Sequence, residues 1–262
     1  MNNFKLNGLN ITDYEGNGLP LIFVHAYPLC NRMWDEQVSY FRNKYRVITY
    51  DIRGLGYSNN LDDYLFTMEE HVNDFFSIID HLNIEKINAC GLSMGGYILL
   101  RALVRDQNRF SSVILADTKS ENDDNPGLIN RAAAVVKIKS ESKDEFLDGF
   151  LKKLLSDEGY RNRKIREFVR TMMSWMDAKG MAANMIAIAT RTNIFYQLKE
   201  IKIPALVIVG KKDELTPVIN SFNLKEGLRN SRFKVINEAG HLSNLEKPEE
   251  FNKTIESFLI NL

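Results

Sequence analysis

Residues Ile87 to Tyr97 read Ile-Asn-Ala-Cys-Gly-Leu-Ser-Met-Gly-Gly-Tyr, and no other stretch restricts the fold so tightly. An apolar run closes on Gly91, Ser93 follows, then Gly95 and Gly96, and the chain continues as the apolar-periodic Ile98-Leu99-Leu100-Arg101-Ala102-Leu103-Val104. The pattern predicts a strand, a very tight turn and a helix. A serine held on such a turn needs neighbours without side chains two positions to either side, where backbones pass too close for a Cβ atom. Gly91 and Gly95 occupy those positions. The turn exposes the Ser93 hydroxyl, and the helix beside it offers unpaired N–H groups and a positive dipole end to a developing oxyanion. Ser93 is therefore the candidate nucleophile. A plain glycine-rich turn is the alternative, and the flanking strand and helix count against it.

With 262 residues, 44% of them hydrophobic, the chain can bury a full core. Lys+Arg and Asp+Glu both number 34, so the formal net charge is zero and nothing favours nucleic acid or an anionic membrane surface. The expected partner is a small molecule. The start lacks a basic segment followed by an apolar run, and no stretch reaches the roughly 18 successive apolar residues of a membrane span. A cytoplasmic location is the expectation. Cys30 and Cys90 are too few for a disulfide framework and are not spaced as a metal site, which favours ordinary buried thiols over a redox role. No metal cluster or dinucleotide glycine fingerprint appears in a fitting context, so no cofactor is expected.

Along the chain, Phe4 to Tyr14 alternates loosely and reads as an edge hairpin. Leu21-Ile22-Phe23-Val24 is a continuous apolar run, as in a strand covered on both faces. A helix over Met33 to Asn43, a strand over Tyr45 to Tyr50, a helix opening at Thr67, the strand before Ser93 and a further strand at Ser112 to Ala116 follow. Alternating strand and helix implies a mostly parallel sheet. From about Leu128 to Gln197 only helical periodicity is found, at Ala132 to Ile138, Phe146 to Leu155, Ile165 to Met176 and Met181 to Phe195. Strand and helix then alternate again from Ala205. The expected architecture is α/β: residues 1–120 and 198–262 form a core of eight strands flanked by helices, and residues 121–197 form an inserted helical lid.

A serine hydroxyl needs a base, and imidazole is the usual one. Of the four histidines, His71 and His81 fall on a helix face expected to be solvated or half-buried, and His25 directly follows a buried strand, where it can brace the loop. His241, in Glu238-Ala239-Gly240-His241, follows the last strand at the carboxyl end of the sheet, where open parallel sheets place their sites. It is the candidate base. Asp117 and Asp213 both end strands beyond Ser93, and both satisfy the order Ser, Asp, His. Asp213 is favoured because Asp213-x-x-x-Pro217 also opens a helix, which leaves Asp117 a structural or lid-contacting role.

These motifs together resemble the α/β-hydrolase fold over nearly the whole chain, and within it the small group of 3-oxoadipate enol-lactonases and related esterases. The matching residues are His25-Ala26-Tyr27-Pro28-Leu29 with Arg32-Met33-Trp34, Tyr50-Asp51-x-Arg53-Gly54-x-Gly56-x-Ser58, Gly91-x-Ser93-Met94-Gly95-Gly96, Gly210-x-x-Asp213-x-x-x-Pro217 and Gly240-His241. The resemblance implies an oxyanion hole from the backbone N–H groups of Tyr27 and Met94. Ala26 stands where glycine is commoner, which is tolerable if its φ is negative. Asp51, Arg53 and Gly54 are expected to frame a turn, and Trp34 to be core. Trp175 and Met172 on the insertion are candidates for an apolar acyl pocket, with plain packing as the alternative.

The expected activity is hydrolysis of an ester or lactone bond of a small molecule through a Ser93, His241 and Asp213 triad and an acyl-enzyme. Serine at 93 argues against epoxide or haloalkane hydrolysis, which resemblance would assign to an aspartate nucleophile. A cofactor-free haloperoxidase-like or carbon–carbon bond hydrolase uses the same three side chains and stays open, as does a ligand-binding protein on this scaffold.

Overall fold

The computed structural model describes residues 1–59, 66–140 and 143–262. The chain opens with a hairpin, β1 (Asn2–Leu6) and β2 (Leu9–Asp13), followed by β3 (Pro20–Val24), α1 (Asp35–Phe41) and β4 (Arg46–Tyr50). Next come α2 (Met68–His81), β5 (Ile87–Leu92), α3 (Met94–Asp106) and β6 (Phe110–Ala116). Among the described residues, five α-helices intervene before the next strand: α4 (Asn125–Lys139), α5 (Lys143–Leu154), α6 (Asp157–Arg161), α7 (Arg163–Ser174) and α8 (Ala178–Ala189). The chain closes with β7 (Ala205–Gly210), α9 (Val218–Gly227), β8 (Ser231–Ile236), α10 (Ser243–Glu246) and α11 (Pro248–Ile260).

The strands form one sheet in the order β1-β2-β4-β3-β5-β6-β7-β8. Only the β1/β2 and β2/β4 pairs run antiparallel, at one edge, and the other pairs are parallel. The eight-stranded, mostly parallel arrangement matches the sequence expectation. Its physical origin is visible in β3 and β5: Leu21, Ile22, Phe23 and Val24 are fully buried, as are Ile87, Ala89 and Cys90, because helices cover both faces of the sheet. The start of α2 is fixed by the Glu70 carboxylate, which accepts from the Thr67 N–H at 2.7 Å and closes one half of a capping box.

Four helical periodicities were expected between β6 and β7, and five α-helices are found among the described residues. The additional one, α6, is a single turn capped by Ser156, whose Oγ accepts from the Gly159 N–H at 3.0 Å. It is too short to register as periodicity. The periodicity at Met181 to Phe195 also runs past the end of α8 at Ala189 into an irregular connection. Among the described residues no helix is long and apolar enough to cross a membrane.

Candidate active site

Ser93 sits between β5 and α3 with φ 54° and ψ −113°, a left-handed conformation costly for a non-glycine residue. The surroundings hold it there. A Cβ on Gly91 would lie 2.5 Å from the carbonyl of Gly95, and one on Gly95 would lie 2.1 Å from the Val24 carbonyl oxygen. The Ser93 N–H donates to Ala116 at 3.0 Å, and its carbonyl accepts from Thr118 Oγ1 at 2.9 Å. The side chain is half-buried at the carboxyl end of β5.

Two further loops at that end of the sheet bring His241 and Asp213 together. His241 follows β8 and Asp213 follows β7, and His241 Nδ1 lies 2.8 Å from Asp213 Oδ2 with both side chains almost wholly buried. Asp213 is anchored by the N–H groups of Leu215 and Thr216 at 2.8 and 3.0 Å, and by Thr216 Oγ1 at 2.7 Å. Burial pushes the Asp213 carboxyl up, but the neighbouring imidazole and the Thr216 hydrogen bonds outweigh it and hold the group below the usual carboxylate range. An ionised Asp213 accepts the Nδ1 proton, which leaves Nε2 of a neutral ring as an acceptor. Among the described residues no hydrogen bond runs between Ser93 Oγ and His241.

The remaining histidines are engaged elsewhere. His25 Nε2 accepts from the Ile52 N–H at 2.8 Å, and its Nδ1 faces the Ala26 carbonyl at 2.9 Å, so the ring braces two loops. Burial lowers its pKa to about 4, keeping it neutral. His81 is exposed, as expected. His71 departs from expectation: it is 1% exposed, because Phe66 packs against its ring edge and α8 brings Asn184 beside it. Among the described residues neither ring nitrogen has a partner at hydrogen-bond distance, and burial lowers its pKa to about 3.

Two buried carboxylates support the site. Asp117 accepts from the Gly210 N–H at 2.8 Å and from Ser243 Oγ, and so ties the loops after β6, β7 and β8 together. Burial, then the charge of Asp213, raises its pKa. Its bonds run to the sheet loops and not to the inserted helices. Glu246, which sequence reasoning did not single out, accepts from the N–H groups of Gly240 and Ser156 and from Ser156 Oγ. Its signal in the sequence was only a glutamate near the base; the partner lies 90 residues away.

Near the serine, the Tyr27 N–H has no acceptor among the described residues, and Met94, as the first residue of α3, has no intrahelical acceptor for its own. Ala26 has no positive φ, so alanine carries no backbone strain there. Asp51 accepts from the N–H groups of Asn31 and Tyr57, and Arg53 pairs with Asp74, so both frame the turn after β4. Trp34 is fully buried. Met172 is fully buried, whereas Trp175 is 44% exposed with Arg32 over its ring. Both cysteines are buried, and burial first, with the charge of Asp51 adding to it, pushes the Cys30 thiol up to about 12, far from a reactive thiolate.

Comparison with known proteins identifies the family. Residues 20–248 match the α/β hydrolase fold family. The chain is 29% identical over 245 residues to 3-oxoadipate enol-lactonase 1 of Acinetobacter baylyi, covering 93% of this chain and 89% of that one. It is 27% identical over 261 residues to the putative non-heme bromoperoxidase BpoC of Mycobacterium tuberculosis, covering 95% and 97%. Among solved structures, a thermophilic esterase from Thermogutta terrifontis superimposes with a TM-score of 0.91 at 30% identity, covering 97% of this chain and 93% of the esterase. A sheet of this order, a serine on a strained strand-to-helix turn and a match over most of the length agree: the chain belongs to the α/β-hydrolase fold family and is an enzyme of the hydrolase type.

Proposed function

We propose that Ser93, His241 and Asp213 are the catalytic triad of a hydrolase that cleaves an ester or lactone bond of a small molecule through an acyl-enzyme. The observation that carries this reading is the buried 2.8 Å contact between His241 Nδ1 and Asp213 Oδ2, at the same end of the sheet as the Ser93 turn. Asp213 fixes the tautomer, so His241 Nε2 takes the Ser93 proton as Oγ attacks the carbonyl carbon. A hydrogen bond between Ser93 Oγ and His241 Nε2 is expected to form as substrate binds.

The oxyanion of the tetrahedral intermediate accepts from the N–H groups of Tyr27 and Met94, each worth about 3 to 4 kcal/mol of barrier in comparable sites. Collapse breaks the ester C–O bond, and the leaving alkoxide takes the proton from His241 Nε2. In a lactone that alcohol stays tethered to the acyl group. Water then gives a proton to Nε2 and attacks the acyl carbon, and Ser93 Oγ leaves with the proton as the acid is released. The helices of residues 121–197 act as the lid over this chemistry.

Replacing Ser93 with Ala is expected to lower kcat on p-nitrophenyl esters and simple lactones by about 10⁴-fold or more, with an unchanged far-UV CD spectrum. Wild-type turnover in that variant ends the reading. Failure of a fluorophosphonate probe to label the native protein would instead point to ligand binding without turnover. The relative named as a bromoperoxidase makes peroxide-dependent halogenation the second reading, and assaying it beside the esters separates the two.

A further inference from the structure

A cavity of about 180 Å³, lined by none of the three triad residues, lies where the chain leaves the sheet after β6 and returns to it before β7. One wall is the start of α2 and the middle of α3. The other is formed by Lys119, Ser120 and residues 190–194. The two crossings are tied to each other: the Ile194 N–H donates to the Ser120 carbonyl at 3.1 Å, and Arg191 donates to the Glu121 carbonyl and to both oxygens of Asp123.

Positive charge is in excess here. Arg101 and Arg105 pair with Glu69, while Lys119, Arg131 and Arg191 converge on Asp123, and the Glu121 carboxylate accepts from Ser120 Oγ. Of the residues that line the cavity, Arg101, Lys119 and Arg191 are cationic and Glu69 is the one carboxylate among the described residues. Arg101 lines the cavity and engages only its Nε with Glu69, so its terminal nitrogens have no acceptor among the described residues. Lys119 spends one donor on Asp123, at 3.1 Å. The guanidinium of Arg191 is buried over the Tyr97 ring at 4.4 Å, with Nε unpartnered. The rest of the lining is largely apolar, with Met68, Leu100 and Ile194.

We propose that this cavity is a second binding site, for a small organic carboxylate with a short apolar body. The carboxylate pairs with Arg101 and Lys119, and the body lies against Met68, Leu100 and Ile194. The volume is below the roughly 300 Å³ at which pockets for drug-sized ligands begin, so the ligand is small. The apolar lining selects a carbon body over a bare inorganic anion. A ligand touching α3 on one side and both crossings on the other fastens the inserted helices to the sheet.

Calorimetric titration with sodium benzoate, with inorganic phosphate in parallel, tests the assignment. Saturable benzoate binding to the native protein is expected, tighter than phosphate, and weakened about tenfold or more in Arg101→Gln and in Lys119→Gln. Both side chains are partly exposed, and Asp123 keeps two arginine partners without Lys119, so both variants are expected to fold. Arg163→Gln, which removes a cation exposed on α7, is expected to bind benzoate as the native protein does. Inhibition of ester hydrolysis by benzoate, if seen, is expected to be non-competitive. No saturable binding, native affinity retained in the two cavity variants, phosphate binding tighter than benzoate, or purely competitive inhibition would each overturn the proposal.

Discussion

The turn that carries Ser93 and the helix α4 are held to the rest of the molecule by different means. At the turn, backbones touch where any added carbon collides: Gly95 leaves 2.1 Å between a hypothetical Cβ and the Val24 oxygen, and a Cβ on Gly96 would lie 2.5 Å from Thr118 Oγ1. Helix α4 fully buries only Ile138 and leaves Ile129 and Val136 about 70% exposed; it packs on α8 and α5 with Ala134 and Val135 half-buried, and its Arg131 pairs with Asp123. Close-packed backbone admits no adjustment smaller than breaking it. Ion pairs and a shallow apolar face can be undone and remade at modest cost. The molecule thus holds the Ser93 turn more rigidly than α4.

Three substitutions can break or sharpen that contrast. Gly95→Ala attacks the rigid side and is expected to destabilise the protein by more than about 4 kcal/mol, visible as loss of a cooperative urea transition. A soluble, fully active Gly95→Ala enzyme would show the turn to be softer than its contacts indicate. Asp123→Asn attacks the adaptable side by removing the carboxylate on which three cations meet. Because Arg191 is left buried without its counter-charge, a loss of about 3 kcal/mol is expected. That loss should appear as faster hydrogen exchange in α4 and α8 with β5 still protected; equal deprotection of both would erase the distinction.

His71→Phe gives the smallest effect and separates by pH. The native ring has a pKa of about 3 against an ordinary 6.5, so below pH 6.5 the unfolded chain takes up a proton that the folded chain refuses. The stability contributed by the neutral ring is therefore lost as the pH falls, by about 2 kcal/mol at pH 5. The variant lacks this loss, so its advantage over the native protein in urea midpoint should grow from pH 7 to pH 5. A difference constant with pH would mean that His71 already finds a proton partner.

The Ser93 turn was legible because its cause is local: two glycines, a strand and a helix within eleven residues impose the geometry by themselves. The mostly parallel sheet was legible for a similar reason, since strands such as Leu21–Val24 advertise burial on both faces. The choice between Asp117 and Asp213 was less so, because both end strands in the permitted order. What distinguishes them is where β8 delivers His241. The burial of His71 was misread because helical spacing reports only a helix's own faces, whereas its cover comes from Phe66 and Asn184. Glu246 escaped notice for the same reason, its partner being Ser156 on the far side of the insertion.

That last contact has a consequence for how reactants get in and out. The Leu242 N–H donates to the Leu154 carbonyl at 3.1 Å, Gly240 packs directly against the Ser156 backbone, and Glu246 grips both segments. Residues 154–156 and the His241 loop are therefore expected to move as one body, and any motion that swung the α5–α6 corner outward would carry the His241 ring with it. Helix α8 is likewise pinned, with Gly180 against the Gly54 carbonyl. Any displacement of the inserted helices that leaves His241 in place must therefore spare both anchors, residues 154–156 and the start of α8.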